Sequence, residues 1–345
     1  MRSGGSLFRG LIMILILLSL LPSCSCDRQN DIGKLSANHI VVCDTLAVIG
    51  GDVRVQDICV DDSLIVLLTS GNPMLFVMNK NTGNIEMKTG FIGHASNEYL
   101  MTPHAINIRN HEVQFLDRAS KKMCYVSLID SHRERKRSVP YTAGFRPAKA
   151  VDINGDLVCV GSFSQGRLGY INADNIVSIP EYEYPYDTGD VEGIYRGSIY
   201  QSVIRAPGTC NRCLVYSLAS DSFEIYESES GAIKRLYASP VKSAPVVVKY
   251  GSRISVDHNR STAGILHAAV TDSSIFMMFS SLSYNEAAKS GFKGDRITEF
   301  GWDGTRKSDY TLPVAASSFC ADIKYFYMVC EDSNASFVIR VPRRK

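Results

Sequence analysis

Apolar positions along the chain alternate with polar ones or gather in short runs, and nowhere hold a convincing helical spacing. The runs are rich in Val, Ile, Tyr and Phe and are broken by clusters of Asn, Asp, Gly and Ser. That pattern predicts strands joined by hairpins and no helix. The strands recur as sets of four. The first set is 57–60, 63–69, 74–79 and 84–89, and the second is 105–109, 112–117, 123–128 and a basic segment reaching 139. The third is 148–153, 156–163, 168–172 and 176–182, its first hairpin turned by Asn154-Gly155, a strong two-residue turn signal. The fourth is 198–204, 213–219, 223–227 and 232–238, and the fifth is 265–270, 274–280, 296–302 and 307–312.

The sixth set has only three strands, 319–322, 325–330 and 337–341, before the chain ends. A spare strand stands at the other end, within 38–50, where Ile40–Cys43 and Leu46–Ile49 are apolar. In a closed ring that orphan completes the last set as its outer strand. Sets of four strands starting near 57, 105, 148, 198, 265 and 319 have the period of propeller blades. The reading is an all-β fold, a six-bladed β-propeller with the N-terminal strand closing the last blade. A pair of sandwiches does not predict six sets of four, and a solenoid would have shorter, more regular repeats. Closure also removes the edges that an open sheet would expose.

One apolar run is of a different kind. Residues 11–18 are wholly apolar and follow Arg2 and Arg9, the layout of an export signal. The run ends in Leu21-Pro22-Ser23-Cys24, which looks like a bacterial lipobox. In that reading residues 1–23 are a signal peptide, Cys24 is lipidated, 24–37 is a polar tether and 38–345 is the propeller. An ordinary secretory signal with a chance cysteine, or an uncleaved anchor, are the alternatives.

Charge then narrows the partners. The chain of 345 residues has 37 Lys+Arg against 35 Asp+Glu, and removing Arg2 and Arg9 with the signal leaves 35 of each. No net field points to nucleic acid. With 45% hydrophobic residues the chain is not disordered, and a single long apolar run excludes a polytopic membrane protein. Of ten cysteines, Cys59, Cys159 and Cys330 fall inside apolar runs, as buried thiols do. Cys210 and Cys213 form the one C-x-x-C; lacking a second pair it is no zinc site, and a local disulfide or two free thiols remain open.

A resemblance runs through these features. The stretch Gly90-Phe91-Ile92-Gly93-His94-Ala95-Ser96-Asn97-Glu98-Tyr99-Leu100-Met101-Thr102-Pro103 is similar to the loop between the first two blades of the TolB-like six-bladed propeller lipoproteins of Bacteroides-type bacteria, although His94-Ala95-Ser96 departs from the Gly-Pro part of that loop. Residues 264–280 resemble the family's fifth blade, and 297–304 its next strand with an Asp-Gly turn. The likeness implies a fold and a location in the cell envelope, anchored by lipid to the outer membrane. It implies no chemistry.

Function on such a ring is expected at one mouth of the central channel, on the segments that lead into each innermost strand. The candidates are His94, Asn97, Glu98 and His104 before the second blade, Arg146 before the third, and Arg253, Asp257 and His258 in the long insertion 241–263 before the fifth. The segment 180–196, with its acids and tyrosines, suits contact with a sugar or peptide. The charge run 130–137 reads as a solvated edge strand. No nucleophile elbow, Walker loop, dinucleotide fingerprint or His-Glu-x-x-His is present. The expected function is therefore a binding or scaffold module for an envelope protein, peptide or glycan, with no cofactor, no metal and no nucleic acid. The alternative is a propeller enzyme, a lyase or lactonase-like hydrolase, which requires His94, Glu98, Asp257 and His258 to converge.

Overall fold

The alternating strands assemble into six four-stranded antiparallel sheets arranged as the blades of a ring, a six-bladed β-propeller. This is seen in a computed structural model that describes residues 43–343 apart from 96, 131–133, 181, 186–190, 192, 230 and 252. The expected signal peptide, Cys24, Cys26 and the tether lie outside the described residues. Strand β1 (Asp44–Gly50) comes first in the chain and pairs with the last strand. The first blade is β2 (Val55–Val60), β3 (Leu64–Thr69), β4 (Leu75–Asn79) and β5 (Ile85–Thr89). The second is β6 (Asn107–Arg109), β7 (Glu112–Asp117), β8 (Lys122–Ser127) and β9 (Glu134–Ser138). The third is β10 (Phe145–Ile153), β11 (Asp156–Phe163), β12 (Leu168–Ile171) and β13 (Val177–Ser178).

A short helix, α1 (Gly193–Ile199), precedes the fourth blade of β14 (Ser202–Arg205), β15 (Arg212–Ser217), β16 (Phe223–Glu229) and β17 (Ala232–Ala238). The hairpin β18 (Val247–Tyr250) and β19 (Arg253–Val256) then leads to the fifth blade. That blade is β20 (Thr262–Val270), β21 (Ile275–Ser283), β22 (Gly294–Phe300) and β23 (Arg306–Ala316), with helix α2 (Tyr284–Lys289) inserted after β21. The sixth is β24 (Ser318–Ala321), β25 (Tyr325–Glu331) and β26 (Ala335–Pro342), completed on its outer side by β1.

Burial follows strand position. The second strand of the first blade, Leu-Ile-Val-Leu-Leu-Thr, is buried at five of its six residues, while its outermost strand, Ile-Glu-Met-Lys-Thr, is mostly exposed. The core is divided into the spaces between blades. Six apolar clusters each join two neighbouring blades. The one joining the sixth blade to the first packs Cys320, Tyr327, Val329 and Val338 against Val55, Ile58, Ile65 and Leu67, with Ile49 of β1 added. This seam closes the ring, as the orphan-strand arithmetic required. The orphan strand is Asp44–Gly50, and Ile40–Val42 lie outside the described residues. Asn154 and Gly155 have φ of 58° and 95°, the left-handed pair that a tight hairpin of the expected type needs.

Among the described residues, two helices depart from the all-strand expectation. Helix α2 is announced by a capping box, in which Ser283 accepts from the Glu286 amide and the Glu286 carboxylate accepts from the Ser283 amide. At six residues it is too short to leave a helical period in the hydrophobic pattern. The insertion before the fifth blade is also more ordered than a loop. Its hairpin packs Val247, Ile254 and Val256 against Tyr184, Val191, Ile199 and Tyr200.

Candidate functional site at the channel mouth

The innermost strand of each blade borders the ring axis, and some of its polar side chains are turned into the channel. Three such residues meet there: Asp57 from β2, Arg205 from β14 and His267 from β20. Arg205 donates from Nη2 to Asp57 Oδ1 at 2.7 Å and from Nη1 to Oδ2 at 2.8 Å, a bidentate pair. The same guanidinium donates to the Ile106 carbonyl at 2.6 Å, and the Ile106 amide donates back to Asp57 Oδ2 at 2.9 Å. His267 Nε2 lies 3.1 Å from Asp57 Oδ1 and 3.2 Å from Arg205 Nη2. Four blades are thereby tied across the axis.

Burial works against the Asp57 charge, but Arg205 beside it and the His267 hydrogen bond hold the carboxyl well below the ordinary range. Burial also lowers His267, more than Asp57 raises it, so the imidazole is neutral at pH 7. The carboxylate is the stronger acceptor and takes the Nε2 proton, leaving Nδ1 as a lone-pair acceptor. The cluster is a floor in which the positive and negative charges cancel.

Above this floor, where the chain enters the inner strands, is a cavity of about 580 Å3. Gln56, His104, Arg118, Lys149, Ser162, Gln201 and Ser202 give it a polar wall. Three inner strands carry a β-bulge at this level, between Val55 and Asp57, between Pro147 and Lys149, and between Ile265 and His267. In each the extra residue, Gln56, Ala148 or Leu266, lines the cavity and the residue after it is turned to the axis. Opposite the second bulge stands Gly161, where a Cβ would lie 2.3 Å from the Arg146 carbonyl oxygen. Glycine is required there for the two backbones to approach.

The charges on this wall are of one sign. Lys149 is half-buried, and its Nζ donates to the Ser202 carbonyl at 3.0 Å. Burial and the neighbouring Arg205 and Arg118 push its ammonium down to about 8. Arg118, in the β7–β8 turn, reaches His104 Nε2 at 3.4 Å, and burial with the adjoining Lys149 and Arg118 lowers that imidazole. A second recess of about 610 Å3 shares Arg118, Ala148 and Ser162 with the first and adds Lys121, Tyr141 and Arg146. No acid lines the second recess, and the acid of the first, Asp57, is spent on Arg205 and His267. Arg118, Lys121, Arg146 and Lys149 form no ion pair among the described residues. Such a wall attracts an anion.

Of the residues singled out from the sequence, His104 lines the cavity and Arg146 the adjoining recess. The others are elsewhere. Glu98 caps its own loop, accepting from the Ala95 amide at 2.8 Å, with Asn97 in the turn and His94 beside it. Asp257 accepts from Arg260 Nε at 2.6 Å and from the Asn259 amide at 3.0 Å, and His258 stacks on Tyr284 at 4.4 Å. Arg253 is in β19, its side chain outside the described residues. His94, Glu98, Asp257 and His258 do not gather at the axial cavity.

Of the described tyrosines of 180–196 that suited sugar contact, Tyr182 and Tyr184 turn inward and Tyr195 is exposed. Tyr184 is buried and stacked on Tyr200, and Tyr182 donates to the Ile233 carbonyl. The charge run ends in the outer strand β9, where Arg135 pairs with Glu112 at 2.6 Å, an edge strand as expected. All eight described cysteines, Cys210 and Cys213 included, are free thiols, and burial pushes Cys59 up to about 12, out of nucleophilic range. At the opposite mouth, Asp61, Asp62 and His111 hold oxygen and nitrogen atoms within 4.8 Å of one another, a spacing that could ligate a metal; there His111 Nδ1 is already paired to Asp61 at 2.6 Å.

No family profile and no curated protein matches this chain. Solved structures do. A protein from Bacteroides fragilis, described only as exported, superposes with TM-score 0.58 at 13% identity over 90% of this chain and 98% of its own. U3-55K superposes with TM-score 0.50 at 8% identity over 87% of this chain and 98% of its own. A member of the DUF4221 family from Bacteroides vulgatus reaches TM-score 0.45 at 7% identity, over 86% and 98%. At these identities the likeness is one of fold alone.

Proposed function

We propose that the protein is a cell-envelope binding module, held to the outer membrane by a lipid on Cys24, that captures an anionic group of a protein, peptide or glycan at the strand-entering mouth of its propeller. One observation carries the reading: the cations Arg118, Lys149, Lys121 and Arg146 line two adjoining recesses whose acid is already neutralised inside the floor. The lipobox-like Leu21-Pro22-Ser23-Cys24, the TolB-like resemblance of 90–103 and the exported fold relative support the location. A catalytic reading has no comparable support, because the groups it needs are not drawn together.

Ligand-observed NMR with butyrate, inorganic phosphate and neutral butanol tests the site. The two anions bind and butanol does not, and added salt weakens the anions. Equal binding of butanol and butyrate contradicts the reading. For the anchor, Cys24→Ala releases the protein from the membrane fraction or blocks its processing; unchanged retention and processing contradict lipidation there.

A further inference from the structure

A third recess, of about 380 Å3, opens beside the mouth under helix α2. It shares Gln56, Leu218, Leu266 and His267 with the cationic cavity, so the two adjoin along that wall. Its character differs. Leu218, Ile265, Leu266, Tyr284 and Phe292 make its wall largely apolar, and its one charged lining residue is Glu331. The volume is within the range that holds a small organic molecule, roughly 300–1,000 Å3.

His267 stands at the junction. It is 7% exposed, and its Nδ1 has no hydrogen-bond partner among the described residues. Buried polar atoms are nearly always satisfied, so an orphaned acceptor on a residue that lines both recesses marks where a ligand donor fits.

We infer that the ligand is an amphipathic organic anion: an anionic head over Lys149 and Arg118, a hydroxyl or N–H at His267 Nδ1, and an apolar body in the recess under α2. The inference rests on the anion reading above and names the class of ligand. Charge sets the direction. The head is drawn to the cations of the mouth and kept out of the side recess by Glu331, while the apolar wall takes the surface that water excludes. Phe292 also offers a clean way to alter that wall. Its φ is 53°, a left-handed conformation that a bulky residue adopts at a cost and Asn tolerates, so Phe292→Asn removes apolar surface without disturbing the turn.

The test is a series of straight-chain carboxylates from butyrate to decanoate, with 3-hydroxyoctanoate and neutral 1-octanol, titrated against the whole mature chain. Each methylene tightens binding by roughly threefold to fourfold until the recess is filled. 3-Hydroxyoctanoate binds more tightly than octanoate, by about fivefold for one hydrogen bond, and 1-octanol binds far more weakly than either. Phe292→Asn, or Ser317→Phe which fills the recess from its other side, flattens the chain-length dependence and leaves butyrate unchanged. If butyrate binds and length makes no difference, the amphipathic class is wrong and the anion reading stands. If hydroxyoctanoate gains nothing over octanoate, the role given to His267 is wrong. If octanol matches octanoate, the anion reading fails as well.

Discussion

The two ends of the channel are built from the same six strands yet differ in what becomes of their charge. At the end where the inner strands leave, Asp322, Asp272 and Asp61 are held by turn amides or by a cation. Asp322 accepts from the amides of Lys324 and Tyr325 and pairs with Lys80, Asp272 accepts from the Thr209 and Cys210 amides, and Asp61 pairs with His111. At the end where the inner strands begin, bulges turn side chains toward the axis and the cations face a cavity without an acid to answer them. Charge at one mouth is consumed by folding; at the other it is left available. The floor of Asp57, Arg205 and His267 separates the two.

Removing the floor has the largest effect. Arg205→Ala strands the Asp57 carboxylate in a buried site and lowers unfolding free energy by about 3–5 kcal/mol, read by urea denaturation. A loss below 1 kcal/mol would mean that the cluster does not tie the blades. Next comes the cationic mouth. Lys149→Met removes a charged donor and weakens butyrate binding by about tenfold to a hundredfold with no loss of stability. An unchanged affinity would move the site elsewhere.

The third effect is one of pH, and its signs are opposed. The Lys149 ammonium is held at about 8 in the folded chain against an ordinary 10.5. Its charge is therefore disfavoured by folding, and between pH 8 and 10.5 the unfolded chain binds more protons, so this group makes stability rise with pH. Anion affinity falls over the same window as the ammonium is lost. His111, at the other mouth, is raised by its hydrogen bond to Asp61. Its contribution is present below its unfolded value and disappears as pH rises through the folded one, with no change in binding. The smallest effect is Asp61→Asn, which costs under about 1 kcal/mol and leaves butyrate affinity untouched. A drop in affinity there would erase the distinction between the mouths.

The fold was largely legible because a strand buried on both faces, such as Leu64–Thr69, and an exposed outer strand, such as Ile85–Thr89, leave different hydrophobic patterns. Ring closure was legible because the last set lacked a strand and the N-terminal segment had one to spare. Helix α2 was written in Ser283 and Glu286 but is too short to show a period. The site was legible only in part. His104 and Arg146 stand just before inner strands and could be found there. Lys149 could not, because a bulge shifts its face and alternation assigns the wrong side. Asp57, Arg205 and His267 sit inside apolar runs that look like plain core. Aligning the six inner strands and asking which carries a charge would have found them.

The central claim is that the strand-entering mouth holds an anion through Lys149. The affinity of butyrate measured from pH 7 to 9, on the native chain and on Lys149→Met, tests it most directly. Over this window His104 and His267, both lowered, stay neutral. The account predicts an affinity that begins to fall near pH 8 in the native chain and a weak, level profile in the variant. A native profile that is flat across this range, or one that the variant reproduces, would contradict it.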